Sequence, residues 1–363
     1  MSEERWPVAL IVGGGIGAEV VPHVLELLAA VDAPFDWRRV DVPAAAPGSA
    51  DQPAERADEQ VVDLLDDLLD EAAAAIESCG LALKTKLVVG AGVERRPDRQ
   101  RKRWSNPKVG NANVALRLRL DLFAGVRPIR SLAGLPTRYP DLDLLLVREN
   151  TEDIYKGIEH VIVDGVVQSL KVVTRDACRR VSRFAFELAT ERQRRRLTFV
   201  HKGNIMKRSD GLFLEVVRGV AAEYPGIELR EMIVDAACMQ MVLDPYQFDV
   251  VLTGNLYGDV LSSLGSGLAG GISNAHSVNV GESCRVFEAI HGDAPHLVGR
   301  GIANPLPVLS PALALLRHVG RHDLSQRLLD AVAEVLRDGR ALTPDLGGTS
   351  GTAAMCWAIR ERL

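Results

Sequence analysis

The stretch LLLVRENTEDIY, residues 144–155, passes from an apolar run into a cluster of charged and polar side chains. The run from Leu142 to Val147 reads as a buried strand, which puts Arg148 at a strand end, where α/β proteins bind their ligands. Working outward, Val8 to Val12, Leu197 to His201 and Phe248 to Thr253 are runs of the same kind. Between them the periodicity is helical: Val181, Phe184, Ala185 and Leu188 share one face, flanked by arginines. Strands alternating with helices predict an α/β fold with a largely parallel sheet.

A chain of 363 residues, 47% of them hydrophobic, is long enough to bury a large core or two lobes sharing a cleft. Its formal charge of -5 argues against a nucleic-acid partner, which needs a basic face to neutralise phosphates. The five cysteines (Cys79, Cys178, Cys238, Cys284 and Cys356) lie far apart with no CxxC pair, so reduced and mostly buried thiols are expected. The N-terminus MSEERWPVALIVGGG lacks a basic segment leading into a long apolar core, and no later segment is long enough to span a bilayer. A soluble cytoplasmic protein without a membrane partner is therefore expected. DVPAAAPGSADQP, from Asp41, reads as a loop leading into an acidic helix. ERRPDRQRKR, residues 94–103, reads as a solvated cationic loop or, alternatively, as a lid that attracts an anionic substrate.

Gly13, Gly15 and Ala18 satisfy GxGxxG/A after a strand, and Asp41 closes a second one, a pattern that fits a dinucleotide fingerprint. A glycine turn is equally needed wherever a strand turns tightly into a helix, whatever binds above it.

The segment NANVALRLRLDLFAGVRPIR places Arg117 and Arg127 ten residues apart, and Arg148 follows on its strand. Three guanidiniums, each able to grip a carboxylate with two parallel hydrogen bonds, suit a small polyanion. For any one of them a surface ion pair is the plainer alternative. Tyr155 and Lys202, the latter in FVHKGNIMKRSDGLF, can both move protons. A lysine desolvated among cations acquires a pKa near neutrality and can take a proton from a hydroxyl; a tyrosine can return one to carbon. The alternatives are a core tyrosine and a solvated lysine. Asp235 and Asp259 are hard oxygen donors of the kind Mg²⁺ or Mn²⁺ prefers, although Asp259 could equally cap a helix.

Through these residues the chain resembles the β-decarboxylating dehydrogenases, the isocitrate, 3-isopropylmalate and homoisocitrate dehydrogenase family, with motifs closest to the isocitrate type. NxNxxLR, VRP, RENTEDIY, VHKGNIMK, NLYGD, FEAIHGDAP and IANP occur together in family order, between GGGIGAEV and the terminal TPDLGGTSGTAAMCWAIRERL. The resemblance implies a two-lobed α/β fold that is not a Rossmann fold. Residues 1–107 and 267–363 would form the large domain with the cofactor loop, and 108–266 a small domain with the substrate, metal and dimer contacts. It also implies a homodimer with shared active sites. Asn111, Asn113, Arg117, Arg127 and Arg148 would bind a small polycarboxylate, and Tyr155 would be the acid. Lys202 and Asp235 would enter from the neighbouring subunit, and Asp259 would bind Mg²⁺ or Mn²⁺. Lys84, Thr85, His291, Gly292, Ala294, Pro295, His296, Leu297 and Asn304 would hold the nicotinamide cofactor. The implied reaction is NAD(P)-dependent oxidative decarboxylation of an isocitrate-like acid.

Four departures stand out. The family's GDGIGPEV is here GGGIGAEV, with Gly14 and Ala18 replacing Asp and Pro. Ser263 stands where the family generally has a further metal-side aspartate, so weaker metal affinity is expected, with Ser263 acting at most through a water. Polar Asn111 and Asn113 favour isocitrate; a phosphonate relative, homoisocitrate and 3-isopropylmalate are the alternatives, and an eroded regulatory subunit is another. Leu297 fits the NAD pattern, while His296 could meet the 2′-phosphate of NADP.

Overall fold

The computed structural model describes residues 5–43, 54–88 and 111–363. The basic run 94–103 and most of the loop after Asp41 lie outside those residues. The first part of the chain comprises β1 (Trp6–Gly13), α1 (Ile16–Ala30), β2 (Phe35–Val42), α2 (Ala54–Cys79), β3 (Leu81–Lys84) and α3 (Ala112–Arg119). The middle comprises β4 (Ala124–Arg130), β5 (Asp143–Glu149), β6 (Glu159–Val163), β7 (Val166–Ser169), α4 (Arg175–Glu191), β8 (Arg196–His201), α5 (Ser209–Ala221), β9 (Glu228–Ile233) and α6 (Val234–Leu243). Then come β10 (Val250–Thr253), α7 (Asn255–Leu268), β11 (His276–Val280), β12 (Arg285–Ala289), α8 (Leu306–His318), α9 (His322–Asp338) and α10 (Thr352–Arg360).

Ten strands form one sheet in the order β2-β1-β3-β12-β11-β4-β5-β10-β8-β9. The four apolar runs read from the sequence are β1, β5, β8 and β10. Both flanks of the sheet are parallel, as expected, but its centre is not: β11 runs antiparallel to β12 and β4, and β4 runs antiparallel to β5. The strand order differs from the 3-2-1-4-5-6 of a Rossmann sheet. Strands from the chain ends fill one half, and β4, β5, β8, β9 and β10 fill the other.

Helices cover both faces, as a buried parallel sheet requires. On the first half, α1, α8, α9 and α10 pack on one side, and α2 and α3 on the other. On the second half, α4 and α5 bury Val181, Ala185, Phe186 and Phe213 against Phe199 and Leu252, while α6 and α7 close the opposite side with Met241 and Leu261. Phe184 and Leu188 pack partly buried against the same core, so the face expected for α4 is the face it buries. The strands β6 and β7 form a separate ribbon with Val161, Ile162, Val163, Val166 and Val167 exposed.

The turn between β1 and α1 shows why it is glycine-rich. A Cβ on Gly13 would lie 2.0 Å from the Lys86 carbonyl oxygen, and one on Gly17 would lie 2.9 Å from Thr85. Gly15 sits at φ +72°, where L side chains are strained. Close packing against the end of β3 thus accounts for these glycines. All five cysteines are free, with Cys178, Cys284 and Cys356 buried.

Candidate active site

Arg148 emerges from the penultimate position of β5 and is almost wholly buried. Its Nε donates to Asn255 Oδ1 at 2.8 Å, and its Nη1 donates to the Asp259 carboxylate. Both partners sit in the first turns of α7. That helix can pass over Arg148 only because residue 258 is glycine: a Cβ there would come within 2.6 Å of the arginine side chain. On the neighbouring antiparallel strand β4, Arg127 points to the same place. Its Nη1 lies 3.3 Å from Asp259 Oδ1 and donates to Ser262 Oγ. Arg117, in the last turn of α3, reaches Glu288 Oε2 at 3.1 Å. Three different elements therefore bring the three arginines to one corner.

These arginines are not fully satisfied. Arg117 Nε, Arg127 Nε and Arg148 Nη2 are buried with no hydrogen-bond partner among the described residues. Buried donors normally find partners, so three orphans on three adjacent guanidiniums mark a place prepared for an acceptor. Charge gives the same answer. Among the described residues, Arg117, Arg127, Arg148 and Lys84 share Asp259 and Glu288 as their close carboxylates. Burial, then the proximity of Arg148 and Arg117, pushes the Arg127 guanidinium down to about 10. An entering anion relieves both strains.

Tyr155 follows β5 in a short 3₁₀ turn capped by Asp153. Its hydroxyl donates to Asp259 Oδ2 at 2.9 Å, and Arg148 lies over its ring at 4.9 Å. Burial raises the phenol's pKa, with Asp259 adding to the rise and Arg148 opposing it. Burial would also raise Asp259, but Arg148 and Arg127 outweigh it and hold this carboxylate below its ordinary range. Asp259 is thus ionised and serves as shared counterion to two arginines and acceptor to one tyrosine.

Lys202 and Asp235 stand apart from this corner. Lys202 follows β8, Asp235 opens α6 after β9, and the two pair at 2.5 Å. Among the described residues, no hydrogen bond or ion pair joins them to the Asp259 corner. The sequence reading pictured a lysine desolvated among cations; within one chain Lys202 is 28% exposed and faces a carboxylate. That hydrogen bond lowers the Asp235 pKa.

Glu288 escaped the sequence reading. Its position in β12 pairs in register with Lys84 in β3, and Lys84 Nζ lies 2.7 Å from Oε1. Oε2 accepts from Arg117 and from Asn279 Nδ2 at 2.6 Å. Burial would raise this carboxyl, but Lys84 and Arg117 hold it far below the usual range. Lys84 also donates to Asn113 Oδ1 at 2.7 Å, and Asn113 clamps the backbone of Leu87 through both ends of its amide. Asn111 is the N-cap of α3, accepting from the amides of Asn113 and Val114.

The loop after β12 carries the residues expected to hold the cofactor. His291 is buried, its Nδ1 2.9 Å from the Gly292 carbonyl, and burial lowers its pKa. Gly292, Pro295 and His296 are exposed, Leu297 packs against the core, and Ala294 adopts φ +41°. Thr85 is buried, accepting from Gly13 N at 2.7 Å. Asn304 caps the start of α8 through Leu306 N and donates to Asp345 at 2.8 Å.

The isocitrate/isopropylmalate dehydrogenase family model matches residues 7–362. The chain belongs to the isocitrate/isopropylmalate dehydrogenase family. Within it, the chain is 40% identical over 358 residues to a probable mitochondrial isocitrate dehydrogenase (NAD) subunit alpha of Caenorhabditis elegans, covering 98% of this chain and 92% of that one. It is also 40% identical over 360 residues to the human mitochondrial isocitrate dehydrogenase (NAD) subunit alpha, covering 98% and 90%. A crystal structure of isocitrate dehydrogenase from Methylococcus capsulatus superposes with a TM-score of 0.83 at 38% identity over 99% of both chains. The fold is that of this dehydrogenase family.

Of the residues singled out from the family motifs, Arg117, Arg127, Arg148, Tyr155 and Asp259 converge in one chain. Asn113 and Lys84 support that corner through Glu288, while Lys202 and Asp235 form a second, separate pair. Ser263, one turn beyond Asp259, donates to the Asp259 backbone carbonyl at 3.0 Å.

Proposed function

We propose that this chain is an NAD-dependent isocitrate dehydrogenase that oxidises and decarboxylates isocitrate at a site completed by a second subunit. The observation that carries the reading is the arginine corner, with three orphaned guanidinium donors and more buried positive charge than its carboxylates balance. A tricarboxylate fits that surplus. The named NAD isocitrate dehydrogenase relatives favour it over homoisocitrate, 3-isopropylmalate, a phosphonate relative or a regulatory role.

Asp259 is a hard, part-exposed oxygen donor, and so is Asp235. Among the described residues of one chain, no three acidic, histidine or cysteine side chains gather as a metal site. Asp259 together with Asp235 of a second copy would hold Mg²⁺ or Mn²⁺. When bound, NAD along the loop after β12 would supply the hydride acceptor, and a cation on these aspartates would supply Lewis-acid polarisation of the substrate's oxygen.

Arg117, Arg127 and Arg148 bind and orient the carboxylates. As a carboxylate arrives, Arg148 and Arg127 exchange Asp259 for the substrate, which frees Asp259 to turn towards the cation. Lys202, reaching in from the second chain, takes the proton of the substrate hydroxyl. Tyr155 keeps its proton through neutral pH because its pKa is raised, so it has one to return to the carbon that loses carbon dioxide. Exposed His296 and core-facing Leu297 on the loop after β12 fit NAD better than NADP, whose extra phosphate needs a fixed cation.

The second chain is a copy of this one or a related subunit; the curated relatives are named as subunits. The exposed apolar ribbon supports such pairing, as do Met239, Leu243 and Val260 on α6 and α7. The assignment of strands to the two halves of the sheet supports a division into 1–107 with 267–363 and 108–266, while α3 packs on the first half. Among the described residues no helix is long and apolar enough to cross a membrane. The relatives are mitochondrial by name, which competes with the cytoplasmic expectation.

The test is nicotinamide reduction with Mg²⁺ or Mn²⁺, offering isocitrate, homoisocitrate and 3-isopropylmalate with NAD and with NADP. Reduction of NAD by isocitrate, abolished by a chelator, is expected. Absence of turnover with isocitrate under every combination would overturn the reading.

A further inference from the structure

One part-buried lysine outside the arginine corner joins three parts of the molecule. Lys171 lies just past β7, where the exposed ribbon returns to the body of the chain. Its side chain is 12% exposed, and its Nζ lies 2.6 Å from Asp210 Oδ1 and 3.9 Å from Asp153 Oδ2. It also sits 4.7 Å above the Tyr257 ring on α7. Asp210, buried in the first turn of α5, uses its other oxygen to accept the backbone N–H of Lys202 at 2.7 Å. The Lys202 carbonyl accepts from Ile205 and Met206, so the backbone of this residue is held on both sides.

We propose that Asp210 is a positioning residue for Lys202, and that Lys171 holds Asp210 in place, so that the apolar ribbon and the proton-accepting lysine are mechanically linked. This deepens the functional reading above and rests on it for the role of Lys202. The argument is geometric. Asp210 has one oxygen for the ribbon's exit and one for the Lys202 amide, and its burial leaves both without competing water. Removing the carboxylate frees the Lys202 backbone and strands the Lys171 charge in a buried place, where it will seek another partner. A displacement of the Lys202 amine by about 1 Å is enough to cost on the order of a hundredfold in rate when geometry limits the step.

The test uses the full chain with Asp210→Ala, Asp210→Asn, Asp210→Glu and Lys171→Met. Asp210→Ala is expected to lower kcat by about tenfold or more, with the KM for isocitrate changed less than about twofold, and to shift the pH profile of kcat on its acidic limb. Asp210→Glu should restore most of the loss. Lys171→Met should lower kcat in the same direction, and the double variant Lys171→Met with Asp210→Asn should lose no more than Asp210→Asn alone. If Asp210→Ala does not fold, Asp210→Asn and Lys171→Met decide. A lowered thermal midpoint with kcat and its pH profile unchanged would overturn the proposal, because the pair would then be structural only. A readout independent of turnover separates this from the functional reading: hydrogen–deuterium exchange at the Lys202 backbone amide, which donates to Asp210 Oδ2. Faster exchange at that amide in Asp210→Ala and Lys171→Met supports positioning even if isocitrate proves not to be the substrate, and unchanged exchange overturns it.

Discussion

Two charged clusters face different fates within one chain. In the arginine corner, Arg148, Arg127 and Arg117 have side chains 1%, 11% and 12% exposed, and their positive charge exceeds what the neighbouring carboxylates supply. The Lys202–Asp235 pair lies across β8, β9 and α6 with Asp235 69% exposed, and each member neutralises the other. The first is a finished binding surface waiting for an anion. The second is a pair of groups parked on each other, whose charges do no work until another surface separates them. Buried surplus charge in one cluster and an exposed, self-satisfied pair in the other are the contrast on which the proposal of a site shared between subunits rests.

Breaking the buried half should have the largest effect. Arg148→Met removes a guanidinium fork while keeping the apolar stem, and leaves Asp259 with one arginine fewer. Two charge-assisted hydrogen bonds to a substrate carboxylate are together worth about 4 kcal/mol, so kcat/KM for isocitrate should fall by roughly a thousandfold. A fall of less than tenfold in steady-state kinetics would mean that the corner binds something other than substrate.

The contrast also predicts complementation. Tyr155→Phe disables the arginine corner of its own chain and Lys202→Met disables the pair that chain lends. Each variant alone should be nearly inactive. A mixed dimer carries one site with both defects and one with neither, so co-refolding at equal amounts should restore about a quarter of wild-type activity. No recovery, in mixtures whose exchange is verified by mass, would place Lys202 in its own chain's site.

How much of this was legible in the sequence depends on where each residue's partners lie. The apolar runs of β1, β5, β8 and β10 announce themselves, and Arg148 inherits its place from the end of one of them. The antiparallel centre was hidden because β4 contains Pro128, which argues against a central strand, although Pro128 pairs there with Leu145. Glu288 was hidden for a different reason. A lone carboxylate in an apolar strand looks like a solvent-facing residue until the register of β12 on β3 sets it against Lys84. Asn111, singled out through the resemblance as a substrate contact, also carries a local signal, a polar residue just before a helix, and its side chain serves as the N-cap of α3.

Glu288 offers the third way to sharpen the comparison, because it is the carboxylate that supports the buried half. Glu288→Gln leaves Lys84 and Arg117 without their buried anion and should destabilise the fold by about 3 kcal/mol. The sign with pH follows from its depressed native pKa. Its contribution is fully present above the unfolded value near 4.3 and is lost as pH falls towards the native value, so thermal melts of the wild type should weaken below about pH 5 more steeply than those of the variant. Parallel acid limbs would show that Lys84 and Arg117 do not depress the Glu288 pKa in the fold.

The smallest expected effect lies where the two halves would meet. Ser263 is exposed one turn beyond Asp259, and its hydroxyl is occupied with the Asp259 backbone carbonyl, so it offers a cation no charge. Ser263→Asp puts a second carboxylate on the same face of α7, four residues on. Without metal the two like charges repel, costing about 0.3 kcal/mol on a helix surface. With Mg²⁺ or Mn²⁺ bound, the added hard donor should tighten the metal by roughly tenfold, which is about 1.4 kcal/mol. Titration calorimetry with Mn²⁺, and thermal melts with and without chelator, read both signs in one variant: a slightly lower midpoint without metal and a larger metal-induced rise. A metal affinity unchanged by Ser263→Asp would mean that Asp259 and the partner subunit's Asp235 already set the strength of the site. The serine would then be no deficit, and the join between the two clusters would be made by the carboxylates alone.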